Sequence, residues 1–146
     1  MVRIEHEITL HNDVDELFSY IANPENNPIW DKNTYETEQI SEIAIGVGTT
    51  GQITSTFLGR SYETNFTYDV YDPPHLVSHQ ITTGPMEMET TNGLKELENG
   101  TQITLDLKVR FKGLKKLMEP FIARRIRKQV GENLEELKLY FRLKSL

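Results

Sequence analysis

Five polar side chains are candidates for chemistry, because the alternation of apolar and polar residues directs them toward the interior. They are Tyr62, Tyr68, His79, Asn92 and Arg125. A phenol, imidazole, amide or guanidinium in a largely apolar site can position a ligand or polarise a carbonyl group. The alternative is that these groups hydrogen-bond to one another in an ordinary core, since buried polar groups are normally paired. The sequence leaves both interpretations open.

Apolar side chains on the same predicted faces extend this set. Met86 and Met88 share a strand face whose opposite side carries Glu87 and Glu89, and methionine adapts to irregular volumes. A mixture of aromatic, thioether and isolated polar groups is typical of a ligand site, whereas a closely packed core is mainly aliphatic. No catalytic residue can be assigned. The predicted ligand-binding residues are Trp30, Phe57, Tyr62, Phe66, Tyr68, His79, Met86, Met88, Asn92, Phe121, Ile122, Arg125 and Ile126.

Residues 46–51, GVGTTG, match the letters of the dinucleotide-binding fingerprint. That motif binds pyrophosphate only where it follows a strand and opens a helix, whose N-terminal amides hold the phosphates. The residues from Gln52 to Phe57 are typical of a strand instead. We therefore expect a hairpin turn at a cavity mouth, and no nucleotide.

Metal and thiol chemistry find no support in the residue spacing. His75 and His79 share a predicted strand face, but a four-residue offset separates them by about 13 Å. The chain has no cysteine, which excludes a thiol nucleophile and a thiolate metal site. Catalytic triads are assembled in space, so the lack of a recognisable spacing does not exclude one. We expect no metal and no cofactor.

The longest amphipathic segment runs from Gly113 to Leu146, and the elements upstream of it must supply the surface against which it packs. Its apolar residues recur at spacings of three and four, the pattern of one helix face. Pro120 disfavours helix at the preceding residue, so we expect a short turn over Leu114 to Met118, a break or kink, and then the main helix. Arg125, Gln129 and Asn133 form a polar file that we predict to lie within the apolar stripe.

Upstream, the pattern predicts a strand, short helices and then a run of strands. Val2 to Leu10 alternate as a strand, and a helix capped by Asn12 or Asp13 ends at Asn23-Pro24. A short helical turn leads to Trp30. Between Thr34 and Phe111, runs of β-branched and aromatic residues separated by turn signals predict six successive antiparallel strands. Asn99-Gly100 is the strongest hairpin signal.

This order of elements resembles the START-like, helix-grip (SRPBCC) superfamily, in its polyketide cyclase/dehydrase and lipid-transport-like branch. The resemblance rests on the proline-bracketed loop 24–28 before Trp30, the Gly46-x-Gly48 turn, the corner 71–74, the hairpin 99–101 and the closing segment 133–138. It implies an α+β helix-grip fold over one domain, residues 1–146. In that fold a curved antiparallel sheet of about seven strands wraps a long C-terminal helix, and two short helices follow the first strand.

The resemblance also implies an apolar cavity between sheet and helix. We expect the protein to bind a small hydrophobic ligand, lipid-like or polyketide-like, as a carrier or sensor. One alternative is a polyketide cyclase or aromatase in which His79, Tyr68 or Arg125 assists proton transfer in the same cavity. Another is a protein-interaction module with a filled core. Fold alone does not select among them.

Charge and hydropathy limit the kinds of partner that we expect this protein to bind. A formal net charge of -6 argues against nucleic acid, whose binding depends on neutralising phosphates. No apolar run approaches the ~18 residues that span a bilayer, and the N-terminus does not look like a secretory signal. We expect a cytoplasmic protein without stable membrane insertion, either a monomer or a weak dimer. Arg124, Arg127 and Lys128 share a helix face that could meet an anionic headgroup, although a solvated face paired with nearby acids is the commoner explanation.

Overall fold

The computed structural model describes residues 2–26, 34–39, 45–57, 60–81, 86–111 and 117–144, and for residues 34–39, 55–57, 60 and 86 only the backbone. The first strand and helices are β1 (Val2–Leu10), α1 (Val14–Ala22) and a 3-10 helix (Pro24–Asn26). Six further strands and a long helix follow. They are β2 (Thr34–Gln39), β3 (Thr50–Phe57), β4 (Arg60–Asp72), β5 (Leu76–Ile81), β6 (Met86–Leu97), β7 (Gly100–Phe111) and α2 (Glu119–Lys144). The predicted α+β helix-grip fold is confirmed.

All strands belong to one antiparallel sheet with the order β1-β7-β6-β5-β4-β3-β2. Strands β2 to β7 pair with their neighbours in sequence, and β1 pairs with β7 at one edge of the sheet. Paired residues lie on the same face, because side chains alternate along each strand. The register therefore identifies an inner face, turned toward α2, and an outer face.

The apolar stripe of α2 packs on one half of this inner face. Ile122, Ile126, Val130, Leu134, Leu137 and Phe141 are buried in the core that also includes Ile4, Ile103, Leu107 and Val109 of β1 and β7. Within the described residues, the backbone of α2 runs alongside β1 more extensively than alongside any other strand. The helix is therefore centred over the β1 and β7 side of the sheet.

The start of α2 follows from its proline. Pro120 is the second residue of the helix, where its missing N–H would have no intrahelical partner in any case. Leu117 and Met118 precede it in a 3-10 turn. The main helix thus begins near the predicted interruption, and the remainder of the predicted turn, residues 114–116, lies outside the described residues.

The connection from β1 to α1 is locked by a cap and a hairpin. The Asp13 carboxylate accepts a hydrogen bond from the Asp15 N–H at 3.2 Å, as an N-cap residue does. Thr101 donates its hydroxyl to the Asn12 carbonyl at 2.9 Å. A Cβ at Gly100 would collide with the Leu10 carbonyl oxygen, so only glycine fits at this point of the predicted Asn99-Gly100 hairpin.

Candidate functional site

The inner face of β4, β5 and β6 brings most of the predicted strand residues into adjacent rows. In one row Tyr68 lies opposite His79, which lies opposite Thr90. The next row contains Phe66, Ile81 and Met88. Asn92 is one step along β6 from Thr90, opposite Val77 on β5 and Leu105 on β7. Tyr62 lies further along β4 on the same face and is half-buried.

Burial varies among the residues of this inner face. Ile4, Ile103 and Val109, on β1 and β7, are completely buried. His79, Met88 and Thr90, on β5 and β6, are only half-buried although they face the same way. Val2, His6 and Ile8, on the edge strand β1, are half-buried as well, whereas Val77, Asn92 and Leu94 on β5 and β6 are buried. The part of the face around His79, Met88 and Thr90 is therefore incompletely covered by the described residues.

His79 lies beside two aromatic rings. Its ring centroid lies 6.1 Å from that of Phe66 and 5.9 Å from that of Tyr68. Burial lowers the pKa of His79 to about 4, an effect that the negative charge of Asp69 only partly opposes. The imidazole is therefore uncharged at neutral pH and makes no hydrogen bond to another described residue. It offers one polar ring within an otherwise apolar surface.

Tyr68 has a structural role that the sequence did not reveal. Its hydroxyl donates a hydrogen bond to the Ala22 carbonyl at 2.6 Å. Ala22 is the last residue of α1, so its carbonyl lacks an intrahelical partner. Burial raises the pKa of the Tyr68 phenol above its ordinary value. The phenol is therefore neutral and already hydrogen-bonded, to a backbone carbonyl and not to another polar side chain of the predicted set.

Asn92 is the buried amide of the set. It lies among apolar neighbours, opposite Val77 and Leu105. No hydrogen bond joins its side chain to another described residue. A buried amide without a partner costs free energy, so a ligand or a water molecule that hydrogen-bonds to Asn92 would be stabilising. Asn92 differs in this respect from Tyr68, whose hydroxyl already has a partner.

The prediction that Phe121 and Arg125 face the sheet is wrong. Phe121 is 76% exposed and Arg125 is also exposed, whereas their neighbours Ile122 and Ile126 are buried. Each residue of an α-helix is rotated by about 100° from the one before, so burying these isoleucines turns the residue before each toward solvent. The predicted stripe was too wide by one residue on this side.

The predicted polar file on α2 rotates from solvent into the core. Steps of four residues advance about 40° around the helix, so Arg125 is exposed, Gln129 half-buried and Asn133 buried. Gln129 donates a hydrogen bond to the Asn133 side-chain oxygen at 2.8 Å. The file is therefore a partly satisfied polar border to the apolar stripe.

Three predicted site residues cannot be placed. Trp30 lies outside the described residues, and Phe57 and Met86 belong to β3 and β6 but lie outside the described side chains. The predicted turn at Gly46 to Gly48 precedes β3, and β3 begins at Thr50. The Gly48 N–H donates to the Tyr68 carbonyl at 2.9 Å. A strand thus stands where the dinucleotide fingerprint requires a helix.

His6 is an inward-facing polar residue that the sequence analysis did not include among the predicted site residues. It lies on the inner face of β1, opposite Leu105, and its Nε2 atom is buried without a hydrogen-bond partner among the described residues. A Cβ at Gly131 would lie 3.3 Å from the ring, so α2 packs on the imidazole. The signal was the single glycine within the amphipathic pattern. A groove of about 490 Å³ opens here, lined by His6, Glu7, Ile8, Lys128, Gly131, Glu132, Leu134, Glu135 and Glu136.

Neither metal binding nor membrane spanning is indicated within the described ranges. No group of three or more histidine or carboxylate side chains there is arranged to hold a metal ion. Among the helices that the structure describes, none is long and apolar enough to cross a bilayer.

The sheet order, the long terminal helix and the inner face between them define a START-like, helix-grip protein. The sequence profile of the family described as polyketide cyclase/dehydrase and lipid transport matches residues 1–142. Because the match covers nearly the whole chain, the protein belongs to that family. Among curated proteins, none matches the sequence.

Solved structures share this fold at low sequence identity. A protein from Thermus thermophilus is 13% identical with a TM-score of 0.84, and the match covers 99% of this chain and 100% of that one. A START superfamily protein from Mycobacterium smegmatis is 15% identical with a TM-score of 0.74, covering 98% and 97% of the two chains. The di-domain ARO/CYC protein BexL of the BE-7585A biosynthetic pathway is 21% identical with a TM-score of 0.78, covering 99% of this chain and 48% of BexL.

Proposed function

We propose that the protein binds a small hydrophobic molecule, lipid-like or polyketide-like, between α2 and the inner face of β4 to β6, as a carrier or sensor. The observation that carries this proposal is the half-burial of His79, Met88 and Thr90, three adjacent inward-facing residues of β5 and β6 in the middle of the sheet. Inward-facing residues that retain accessible surface line a space. Membership of the family described as polyketide cyclase/dehydrase and lipid transport supports the same ligand class.

The chemistry of this face favours a neutral ligand. The described inward side chains of β4, β5 and β6 include aromatic, aliphatic, thioether, hydroxyl and amide groups, and the one carboxylate on this face, Glu96, is exposed near the end of β6 and contacts His75. His79 is kept neutral by burial, which lowers its pKa to about 4. An ionised ligand would therefore be desolvated without a counter-charge, which is strongly unfavourable. Asn92 and His79 supply the few polar contacts that orient a ligand in an apolar site.

The cyclase alternative has fewer residues available than the sequence indicated. The Tyr68 hydroxyl is committed to the Ala22 carbonyl, and Arg125 faces solvent. His79 remains, but a general base works best with a pKa near the operating pH, and the pKa of His79 is about 4. Proton transfer at neutral pH would thus depend on a weak base. This favours the carrier or sensor over the enzyme.

A cavity-filling substitution tests the proposal. Thr90→Trp places an indole among His79, Leu107 and the space that we propose for the ligand, whereas Thr104→Trp places the same group on the exposed outer face of β7. Titration with the uncharged fluorophore N-phenyl-1-naphthylamine should show saturable binding to the wild type and Thr104→Trp. Thr90→Trp should lose at least about tenfold in affinity, or ~1.4 kcal/mol, and keep a cooperative thermal transition.

Two outcomes would redirect the assignment. Absence of probe binding by the wild type, together with a sharply lowered melting temperature for Thr90→Trp, would indicate a filled core and the interaction-module alternative. Binding that survives Thr90→Trp unchanged would place the ligand elsewhere. Carrier and enzyme are distinguished by incubating the protein with the ligand that co-purifies with it. Mass spectrometry should recover that ligand unaltered from a carrier and altered from a cyclase.

A further inference from the structure

The face of α2 turned away from the sheet carries large apolar side chains at both ends. Leu117, in the 3-10 turn just before α2, and Phe121, in its first turn, are 82% and 76% exposed, and Leu139 and Leu143, near its end, are 45% and 57% exposed. Exposed leucine and phenylalanine side chains that cluster on one surface commonly mark an interaction site.

Charged residues fill the interval between these apolar ends in a fixed order. Arg125 and Lys128 come first, followed by Glu132 and Glu135. With Phe121 and Leu139 these residues are spaced by alternating steps of four and three, which keeps all six within about 40° of one line along the helix. We call this line, from Phe121 through Arg125, Lys128, Glu132 and Glu135 to Leu139, the outer stripe.

The outer stripe is complementary to its own reverse. Positions equidistant from Val130 pair Phe121 with Leu139, Arg125 with Glu135, and Lys128 with Glu132, and the next equidistant pair is Leu117 with Leu143. An antiparallel copy therefore sets apolar groups against apolar groups and each cation against an anion. A surface that is complementary to itself under a two-fold rotation is the requirement for an isologous dimer.

We propose that two copies of this protein associate through their outer stripes, with the α2 helices antiparallel and the two-fold axis near Val130. The occupant of the exposed helix face is thus a second copy of the same chain.

Contacts within the chain do not account for this charge order. Arg125, Lys128, Glu132 and Glu135 form no ion pair with another described residue. Segregated blocks of like charge lower helix stability when residues three or four apart repel each other. An antiparallel partner sets each of these like-charged blocks against a block of opposite charge.

The size of the contact predicts a weak dimer. The outer stripe extends over about 27 Å at ~1.5 Å per residue, and a helix is ~10 Å wide. The two copies would bury on the order of 600 Å² in total, below the range of stable complexes. The groove beside His6 adds surface, because Lys128, Gly131, Glu132 and Glu135 line it next to the two-fold axis. Because Arg125, Lys128 and Glu135 are exposed and Glu132 is half-buried, salt should weaken the association.

Sedimentation velocity over a range of protein concentrations tests the proposal first. The wild type should shift from monomer to dimer as its concentration rises from about 1 μM to 1 mM, and the midpoint should move upward by about tenfold or more in 0.5 M salt. A protein that stays monomeric at every concentration overturns the proposal. This holds whether or not the protein binds a membrane surface, which cosedimentation with anionic phosphatidylglycerol vesicles would measure.

Charge exchange tests the pairing itself. The acidic variant, Arg125→Glu/Lys128→Glu, and the basic variant, Glu132→Lys/Glu135→Lys, should each associate at least about tenfold more weakly, since like charges would face each other. An equal mixture of the two should form heterodimers with near wild-type affinity. Failure of the mixture to associate, with both variants folded, contradicts the proposed register.

A control variant and a cross-link complete the design. Lys95→Glu/Arg110→Glu makes the same change in formal charge at exposed positions on β6 and β7, and it should dimerise normally. Equal loss of association in this control would indicate a general charge effect and overturn the proposal. The chain has no cysteine, so cysteines introduced as Phe121→Cys/Leu139→Cys should form disulfides between position 121 of one copy and 139 of the other. Links from 121 to 121 contradict the antiparallel arrangement.

Discussion

Replacing Tyr68 with phenylalanine removes one hydroxyl from a buried position and leaves the rest of the ring in place. That hydroxyl donates to the Ala22 carbonyl at 2.6 Å, joining β4 to the end of α1 across the interior. Without it, the last carbonyl of α1 has no partner from its own helix. The variant therefore isolates the contribution of one buried hydrogen bond.

The expected loss of stability follows from the cost of an unsatisfied buried acceptor. Leaving a carbonyl without its donor costs about 1 to 3 kcal/mol. For a chain of this length each kcal/mol corresponds to roughly 3 °C in the midpoint of thermal unfolding. Tyr68→Phe should therefore melt about 3 to 10 °C below the wild type in calorimetry, with a matching decrease in free energy from urea unfolding.

The same strand offers a matched control. Tyr71 packs edge to face on Phe18 at 5.5 Å between ring centroids, and its hydroxyl has no hydrogen bond to another described residue. Tyr71→Phe should change the free energy of unfolding by less than about 0.5 kcal/mol. The reasoning would be refuted if Tyr68→Phe were as stable as Tyr71→Phe.

Three further predictions concern pH, helix packing and a surface ion pair. The pKa of His79 is lowered to about 4 in the folded protein, so the unfolded chain takes up a proton on this imidazole first, and the free energy of unfolding should decrease as the pH falls from about 6.5 to 4, by at most ~3 kcal/mol. In urea unfolding, His79→Gln should show a smaller decrease over that pH window. An equal decrease would contradict the pKa shift. Gly131→Leu should destabilise the fold by about 1 to 3 kcal/mol, because the new leucine side chain would overlap the His6 ring. Adding His6→Ala should recover part of that loss in the same assay. No recovery would refute the contact between Gly131 and His6. Arg3 binds both carboxylate oxygens of Asp106 at 3.2 and 2.9 Å on the exposed side of the sheet. Arg3→Gln should therefore lower the free energy of unfolding by no more than ~1 kcal/mol. A larger calorimetric effect would show that this pair is not a typical surface ion pair.

The fold was predictable because its signals are local. Alternation along β1 and β7, the Asp13 cap, the Asn99-Gly100 hairpin and the stripe on α2 each involve a few neighbouring residues. Together they specify a sheet with one face turned toward a terminal helix. The resemblance to the START-like superfamily then selected the helix-grip arrangement.

The candidate site was less predictable because its features depend on contacts between distant residues. Alternation correctly placed Tyr68 on the inner face, but nothing local indicates that its hydroxyl binds Ala22, 46 residues away. The exposure of Phe121 and Arg125 depends on the rotation of α2, which is set by the packing of the whole helix. The burial of His6 against Gly131 likewise arises only when β1 and α2 come together.

Magnetic resonance of the histidine rings tests the central claim most directly, because the four histidines report on different places. His79 lies on the inner face of β5, whereas His11 and His75 are exposed and contact the Asn99 carbonyl and Glu96. If a small apolar molecule binds between the sheet and α2, titration with N-phenyl-1-naphthylamine should shift the His79 ring signals saturably and leave those of His11 and His75 unchanged. Saturable binding of the probe with no change at His79 would contradict the account.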